Sequence, residues 1–177
     1  MIINTNDLKR EAESIVKNLS LLEILRRYGE VRVVGSVALN LIVKRDIDLH
    51  VVVQTDDLFE VVDQIYHALL GIKDVMHIRI SDYRGRGGIK VGIDSYTGLS
   101  GDWSIDLWIT NLPETTGFAL VDRLNQQLTN EQRKAIMTIK KALHSRSELR
   151  DGISTQIYAA VVDNDVRTVT EFEEIIK

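Results

Sequence analysis

Apolar residues recur at helical spacing from Thr5 to Tyr28, at Leu8, Ala12, Ile15, Val16 and Leu19 and then at Leu21, Leu22, Ile24 and Leu25. The spacing predicts a helical region closed by Gly29, because glycine commonly stands just past a helix end. The pattern then shortens to alternation. Residues 31–34 read as a strand that delivers the chain to Gly35–Ser36, and residues 38–42 as a brief helix. Residues 46–53 read as a second strand, with Ile47, Leu49, Val51 and Val53 on one face and Asp46, Asp48 and His50 on the other.

Helical spacing returns over residues 56–70, through Leu58, Val61, Val62, Ile65, Ala68 and Leu69, and ends at Gly71 as a crossover helix. Residues 75–80 and 89–93 alternate again, joined by residues 83–88, whose glycines and arginines have the chemistry of a hairpin loop. Residues 103–109 form a further strand between Gly101 and Pro113. Beyond Pro113 strand signals give way to helical ones: Phe118 to Leu124, Ile136 to Leu143 with Asn130 as a cap, Ile157 to Val161, and Val169 to Ile176. No internal repeat or low-complexity tract interrupts them. The expectation is a mixed α/β part over residues 1–112, including the N-terminal helical region, and an α-helical segment over 113–177.

Composition narrows the chemistry. The 177 residues are 44% hydrophobic and 27% charged, as in soluble globular proteins, and no apolar run approaches the roughly 18 residues that span a bilayer. The start, Met1–Ile2–Ile3–Asn4–Thr5–Asn6–Asp7, lacks a basic region followed by an apolar one, so the expected location is cytoplasmic. With no cysteine there is no disulfide, thiolate metal site or cysteine nucleophile, which leaves carboxylates, hydroxyls and four histidines. A net charge of −4 argues against broad nucleic-acid affinity and favours a small-molecule or protein substrate, although Lys44, Arg45, Arg84, Arg86 and Lys90 would form a basic patch if the fold gathers them.

The run from Gly35 to Leu49 concentrates the candidate chemistry. Side chains two apart on a strand share a face with their Cα atoms about 6.6 Å apart, so Asp46 and Asp48 lean toward one point, where divalent ions about 3.5–4 Å apart fit. Without a cation the two carboxylates repel, and Mg²⁺ removes that penalty while recruiting phosphate oxygens. Taken alone, an Asp-x-Asp is a solvated acidic face and a Gly-Ser a strand-to-helix turn with serine as cap. Together they offer a close backbone approach at Gly35 and a hydroxyl at Ser36. Asp106, alternating with Ile105 and Leu107, is the preferred third acid, with Asp94 and Asp102 as competitors. His50 continues the acidic face as a pocket wall or a structural histidine.

These residues resemble the catalytic core of the nucleotidyltransferase superfamily, the DNA polymerase beta-like fold that includes antibiotic-modifying and minimal nucleotidyltransferases. The resemblance rests on VVGSVALNLIVKRDIDLHV followed by WSIDLWI and covers roughly residues 31 to 110. It implies a mixed β-sheet core flanked by helices. It also implies that Asp46, Asp48 and Asp106 are catalytic and bind two Mg²⁺ ions, and that Gly35 and Ser36 hold the phosphates of an NTP, with ATP the first expectation. Lys44 or Arg45 would neutralise charge nearby or stand as solvated loop cations.

The implied reaction moves a nucleoside monophosphate to a hydroxyl acceptor, expected to be a small molecule, and releases pyrophosphate. The alternatives are an inactive nucleotide-binding or regulatory protein of the same fold, and a toxin–antitoxin enzyme acting on protein or RNA. The acceptor and the oligomeric state are not legible in the chain.

Overall fold

The computed structural model describes residues 5–176; Met1–Asn4, part of the polar start discussed above, and Lys177 lie outside the described residues. Five strands form one sheet: β1 (Gly29–Val34), β2 (Asp46–Val53), β3 (Ile78–Tyr83), β4 (Gly88–Thr97) and β5 (Asp102–Thr110). Their spatial order is β1-β2-β5-β4-β3, with β2 and β5 parallel and every other pair antiparallel. A parallel pair needs a crossover, and α4 (Leu58–Leu70) with the β3–β4 hairpin supplies it.

Alternation sends Ile47, Leu49, Val51, Ile105, Leu107 and Ile109 to one face of the sheet, where they meet Leu8, Ala12, Ile15 and Val16 of α1 (Thr5–Asn18), Leu21 and Leu25 of α2 (Leu21–Leu25), and Val62, Ile65 and Leu69 of α4. A second cluster gathers Val34, Leu39 and Leu41 with α5 (Phe118–Gln127), α6 (Asn130–Ser145), α7 (Ile153–Asp163) and α8 (Val169–Ile175), through Leu124, Ile136, Ile139, Ile157, Val161 and Phe172. The second cluster reaches the sheet through the turn that follows β1. No helix among the described residues is long and apolar enough to cross a membrane.

Several element bounds differ from the sequence expectation. The helical region over 5–28 is broken at Ser20, whose left-handed φ of 51° separates α1 from α2. Gly29 opens β1 rather than closing a helix, and a Cβ there would stand 2.0 Å from the Val52 carbonyl oxygen of the paired strand. The brief helix is α3 (Gly35–Ala38), not 38–42, because Gly35 turns the chain at φ +62° and Asn40 ends it at φ 55°. Residues 39–42 are instead mostly core, with Leu39, Leu41 and Ile42 buried. Strand β3 begins at Ile78 instead of residue 75, since Val75 turns into the core while Met76 is exposed. The cap of α6 is Thr129, which exchanges hydrogen bonds with Gln132, and not Asn130.

Candidate active site

Parallel pairing in register sets Asp48 directly beside Asp106, and Asp46 beside Ser104. Alternation turns all three acids to the face opposite the α1–α4 layer. Gly35, Ser36, Lys44, Asp46, Asp48, His50 and Asp106 line one cavity of about 580 Å³, closed from the other side by α5, α6 and α7. Gly35 must be glycine for two reasons: its φ is +62°, and a Cβ would lie 2.7 Å from Asp48 Oδ2. The backbone of the Gly-Ser turn therefore touches the acid it is expected to work with.

The site is crowded with charge. Burial and the carboxylates of Asp46 and Asp106 push the Asp48 carboxyl up to about 7. Asp46 Oδ2 meets Lys44 Nζ at 2.9 Å, while its buried Oδ1 has no hydrogen-bond partner among the described residues. Burial pulls the Lys44 ammonium down, but Asp46 beside it outweighs that and raises it above the usual lysine range. Asp106 Oδ2 meets Lys90 Nζ at 2.6 Å. Three carboxylates, one buried oxygen without a partner and an all-oxygen donor set fit Mg²⁺. Among the described residues no three acid or histidine side chains stand already drawn together as a metal-binding group, and Lys44 and Lys90 take the outer oxygens.

The other candidates fall into place around this centre. Asp94 is held by Arg79, which donates from Nε at 3.3 Å and from Nη2 at 3.1 Å, and Asp102 accepts from Thr97 Oγ1 at the β4–β5 hairpin. Arg45 packs against Gly101 and donates to the Asp102 carbonyl oxygen, so it is placed on that hairpin and not in the cavity. The basic patch is only partly assembled: Lys44 and Lys90 reach the cavity, while Arg84 pairs with Asp82 and lies over the Phe59 ring. His50 is both wall and structural group, for its Nδ1 accepts the Gly117 N–H at 2.9 Å. Burial pushes its imidazole down to about 4, so it is neutral at physiological pH.

Lys140 is the residue that sequence reasoning passed over. It is buried, and its Nζ donates to the Leu41 carbonyl at 2.8 Å and to the Tyr158 hydroxyl at 3.3 Å. Burial pushes its ammonium down to about 8. The signal was a lysine on the apolar stripe of α6, between Ile139 and Leu143. Tyr158, raised by burial and by Asp46 and Asp48, lines the cavity with Arg79, Tyr83, Arg150 and Ser154.

No protein-family model matches the chain, and no curated protein matches it. Solved structures do. A crystal structure of Cid1 poly(U) polymerase with MgGTP bound superposes with a TM-score of 0.59 at 16% identity, covering 77% of this chain and 42% of that one. A cytoplasmic RNA terminal U-transferase gives a TM-score of 0.63 at 16% identity, over 86% of this chain and 47% of that one. The fold is that of these two structures. Cid1 in complex with the UTP analogue UMPNPP is similar over 77% of this chain, with a TM-score of 0.56 and 15% identity. The chain spans less than half the length of these structures, 41% to 47% of them. In this chain the strand register brings the Asp-x-Asp strand and the Asp106 strand together as neighbours.

Proposed function

We propose that this chain is a Mg²⁺-dependent nucleotidyltransferase that moves a nucleoside monophosphate from an NTP to a hydroxyl acceptor and releases pyrophosphate. The observation that carries the reading is the register of β2 on β5, which sets Asp48 beside Asp106 on the wall of the cavity that Gly35 and Ser36 also line. Asp46, Asp48 and Asp106 are the residues that would hold Mg²⁺. When bound, Mg²⁺ screens the triphosphate and the charge that develops as the α–β phosphate bond breaks.

The chain's own groups do the rest. The Gly35 backbone and the Ser36 hydroxyl face the β and γ phosphates, with Lys44 and Lys140, which line the same cavity, supplying positive charge. Asp106, at the β5 side, accepts the proton of the attacking hydroxyl. The helical segment over 113–177 closes the cavity through Gly117, Leu120, Val121, Arg150 and Tyr158 and contributes to acceptor binding.

A small-molecule acceptor fits the net charge of −4. An RNA 3′ end is the second reading, favoured by the likeness to a poly(U) polymerase and an RNA terminal U-transferase. The test is incubation with Mg²⁺ and each labelled NTP against a panel of small hydroxyl compounds, oligoribonucleotides and proteins, beside Asp46→Asn and Asp106→Asn. Pyrophosphate release that depends on an acceptor and disappears in both variants supports the proposal. Release that survives both substitutions overturns the site, and metal-dependent NTP binding without any product favours the regulatory alternative.

A further inference from the structure

A second cavity, of about 670 Å³, shares no lining residue with the acid-lined one. The short helix α3 stands between them, giving Gly35 and Ser36 to the acids and Val37 and Ala38 to this second space. Ser20, the left-handed break at φ 51° between α1 and α2, lines it too. Alternation puts Val33 on the strand face that Val31 uses in the core, yet Val33 stays only half-buried, as does Leu22 of α2. Protein interiors are close-packed. Apolar side chains left uncovered around a space of ligand size, about 300–1,000 Å³, are what a bound apolar group would cover.

Charge lies on the rim. Lys9 is paired with Glu13 at 3.7 Å. The side chains of Lys17 and Arg26 have no hydrogen-bond or ion-pair partner among the described residues, and neither has that of Glu23. Two free cations against one free carboxylate make the rim locally positive in a chain whose net charge is −4. We propose that this cavity is a second ligand site, which takes a small amphipathic monoanion. Its apolar body would lie against Leu22, Val33, Val37 and Ala38, and its carboxylate would meet Lys17 and Arg26 at the rim. An uncharged ligand forgoes those charge-assisted bonds, and an apolar cation meets like charge. The inference goes beyond the nucleotidyltransferase reading and does not depend on it.

The test compares octanoate with octanol and octylamine, three probes of one chain length that differ in charge. Each is titrated, below the concentration at which it aggregates, into the full chain with its valine, leucine and alanine methyls labelled for NMR. Octanoate is expected to shift the methyls of Leu22, Val33, Val37 and Ala38 saturably. Octanol should bind about fivefold more weakly, the loss of two exposed ion pairs, and octylamine more weakly still. Reversing the rim with Lys17→Glu and Arg26→Glu together should reverse the order, so that octylamine binds tighter than octanoate. Leu22→Trp fills the space and should abolish the saturable shifts of all three. No saturable shift at these methyls in the wild type, equal affinity for the three probes, or an unchanged order in the folded double variant overturns the inference. Shifts that follow protein concentration without any probe assign the face to a second copy of the chain and overturn it as well. Where a variant does not fold, the order of the three probes on the wild type still decides.

Discussion

His50 Nδ1 accepts a hydrogen bond from the Gly117 N–H at 2.9 Å, and that bond ties the strand carrying the two acids to the start of the C-terminal helices. Gly117 sits against Val34, where a Cβ would come within 3.3 Å of the valine Cβ. Next to it Arg32 lies over the Phe118 ring at 4.6 Å and pairs with Asp122 at 2.9 Å. The wall of the cavity is therefore hung on β1 and β2 at one point.

His50→Ala leaves the Gly117 N–H without its acceptor and is expected to cost about 1–3 kcal/mol. The imidazole is buried neutral, with its folded value pushed down to about 4 from an ordinary 6.5. The unfolded chain thus binds the extra proton first as pH falls, and the stability His50 contributes is full above 6.5 and lost toward 4. The difference in unfolding free energy between wild type and His50→Ala, measured by urea titration, should shrink as pH falls through that window.

Asp48 works in the opposite sense. With its carboxyl pushed up to about 7 by burial and by Asp46 and Asp106, the folded state holds a proton that the unfolded chain gives up near 3.8. The metal-free protein therefore loses stability as pH rises from about 4 through 7. Asp48→Asn in the presence of a chelator is expected to stabilise the fold at pH 8, by on the order of 2 kcal/mol, while abolishing nucleotidyl transfer. Thermal melts of both proteins at pH 5 and pH 8 check this, and a gain of similar size at both values counts against it.

Gly35→Ala places a methyl group 2.7 Å from Asp48 Oδ2 and forces a side chain onto φ +62°. The left-handed backbone alone costs about 1–2 kcal/mol, and the displaced carboxylate should remove Mg²⁺-dependent nucleotide binding. Calorimetric titration with an NTP analogue, set beside a melting curve, separates the two effects.

Lys140→Met keeps the length of the side chain and removes the donor to the Leu41 carbonyl and the Tyr158 hydroxyl. A loss of about 1–3 kcal/mol is expected for the groups left without a partner. Loss of the ammonium should also weaken NTP binding by at least about tenfold, the equivalent of roughly 1.4 kcal/mol. A variant that melts lower but binds NTP unchanged would assign Lys140 to structure alone.

Glu11 anchors the β4–β5 hairpin from α1, its Oε1 accepting the Ser100 N–H at 2.9 Å and the Trp103 Nε1–H at 3.0 Å. Burial pushes its carboxyl up, but these donors and the Leu99 N–H outweigh it and hold it below the usual glutamate range. The stability it contributes is present above the ordinary value and lost as pH falls through the lowered one. Glu11→Ala is expected to cost about 2–3 kcal/mol at pH 7, with less loss for Glu11→Gln, read by chemical denaturation.

Alternation of apolar and polar residues determined the strands 46–53 and 103–109 and put Asp46, Asp48 and Asp106 on polar faces, because a two-residue period needs no knowledge of neighbours. Gly35–Ser36 was legible as a turn for the same local reason. Tertiary structure alone decided what those side chains face. The parallel register of β2 on β5 sets Asp48 beside Asp106, and that pairing depends on a crossover of some fifty residues that no local pattern encodes. Lys140 was hidden in a helical stripe, Lys90 in an alternating strand, and Arg45 was misplaced by its closeness in sequence to Asp46. A charge is read along the chain as a solvated group, and only the packed fold shows which carbonyl, ring or carboxylate it meets.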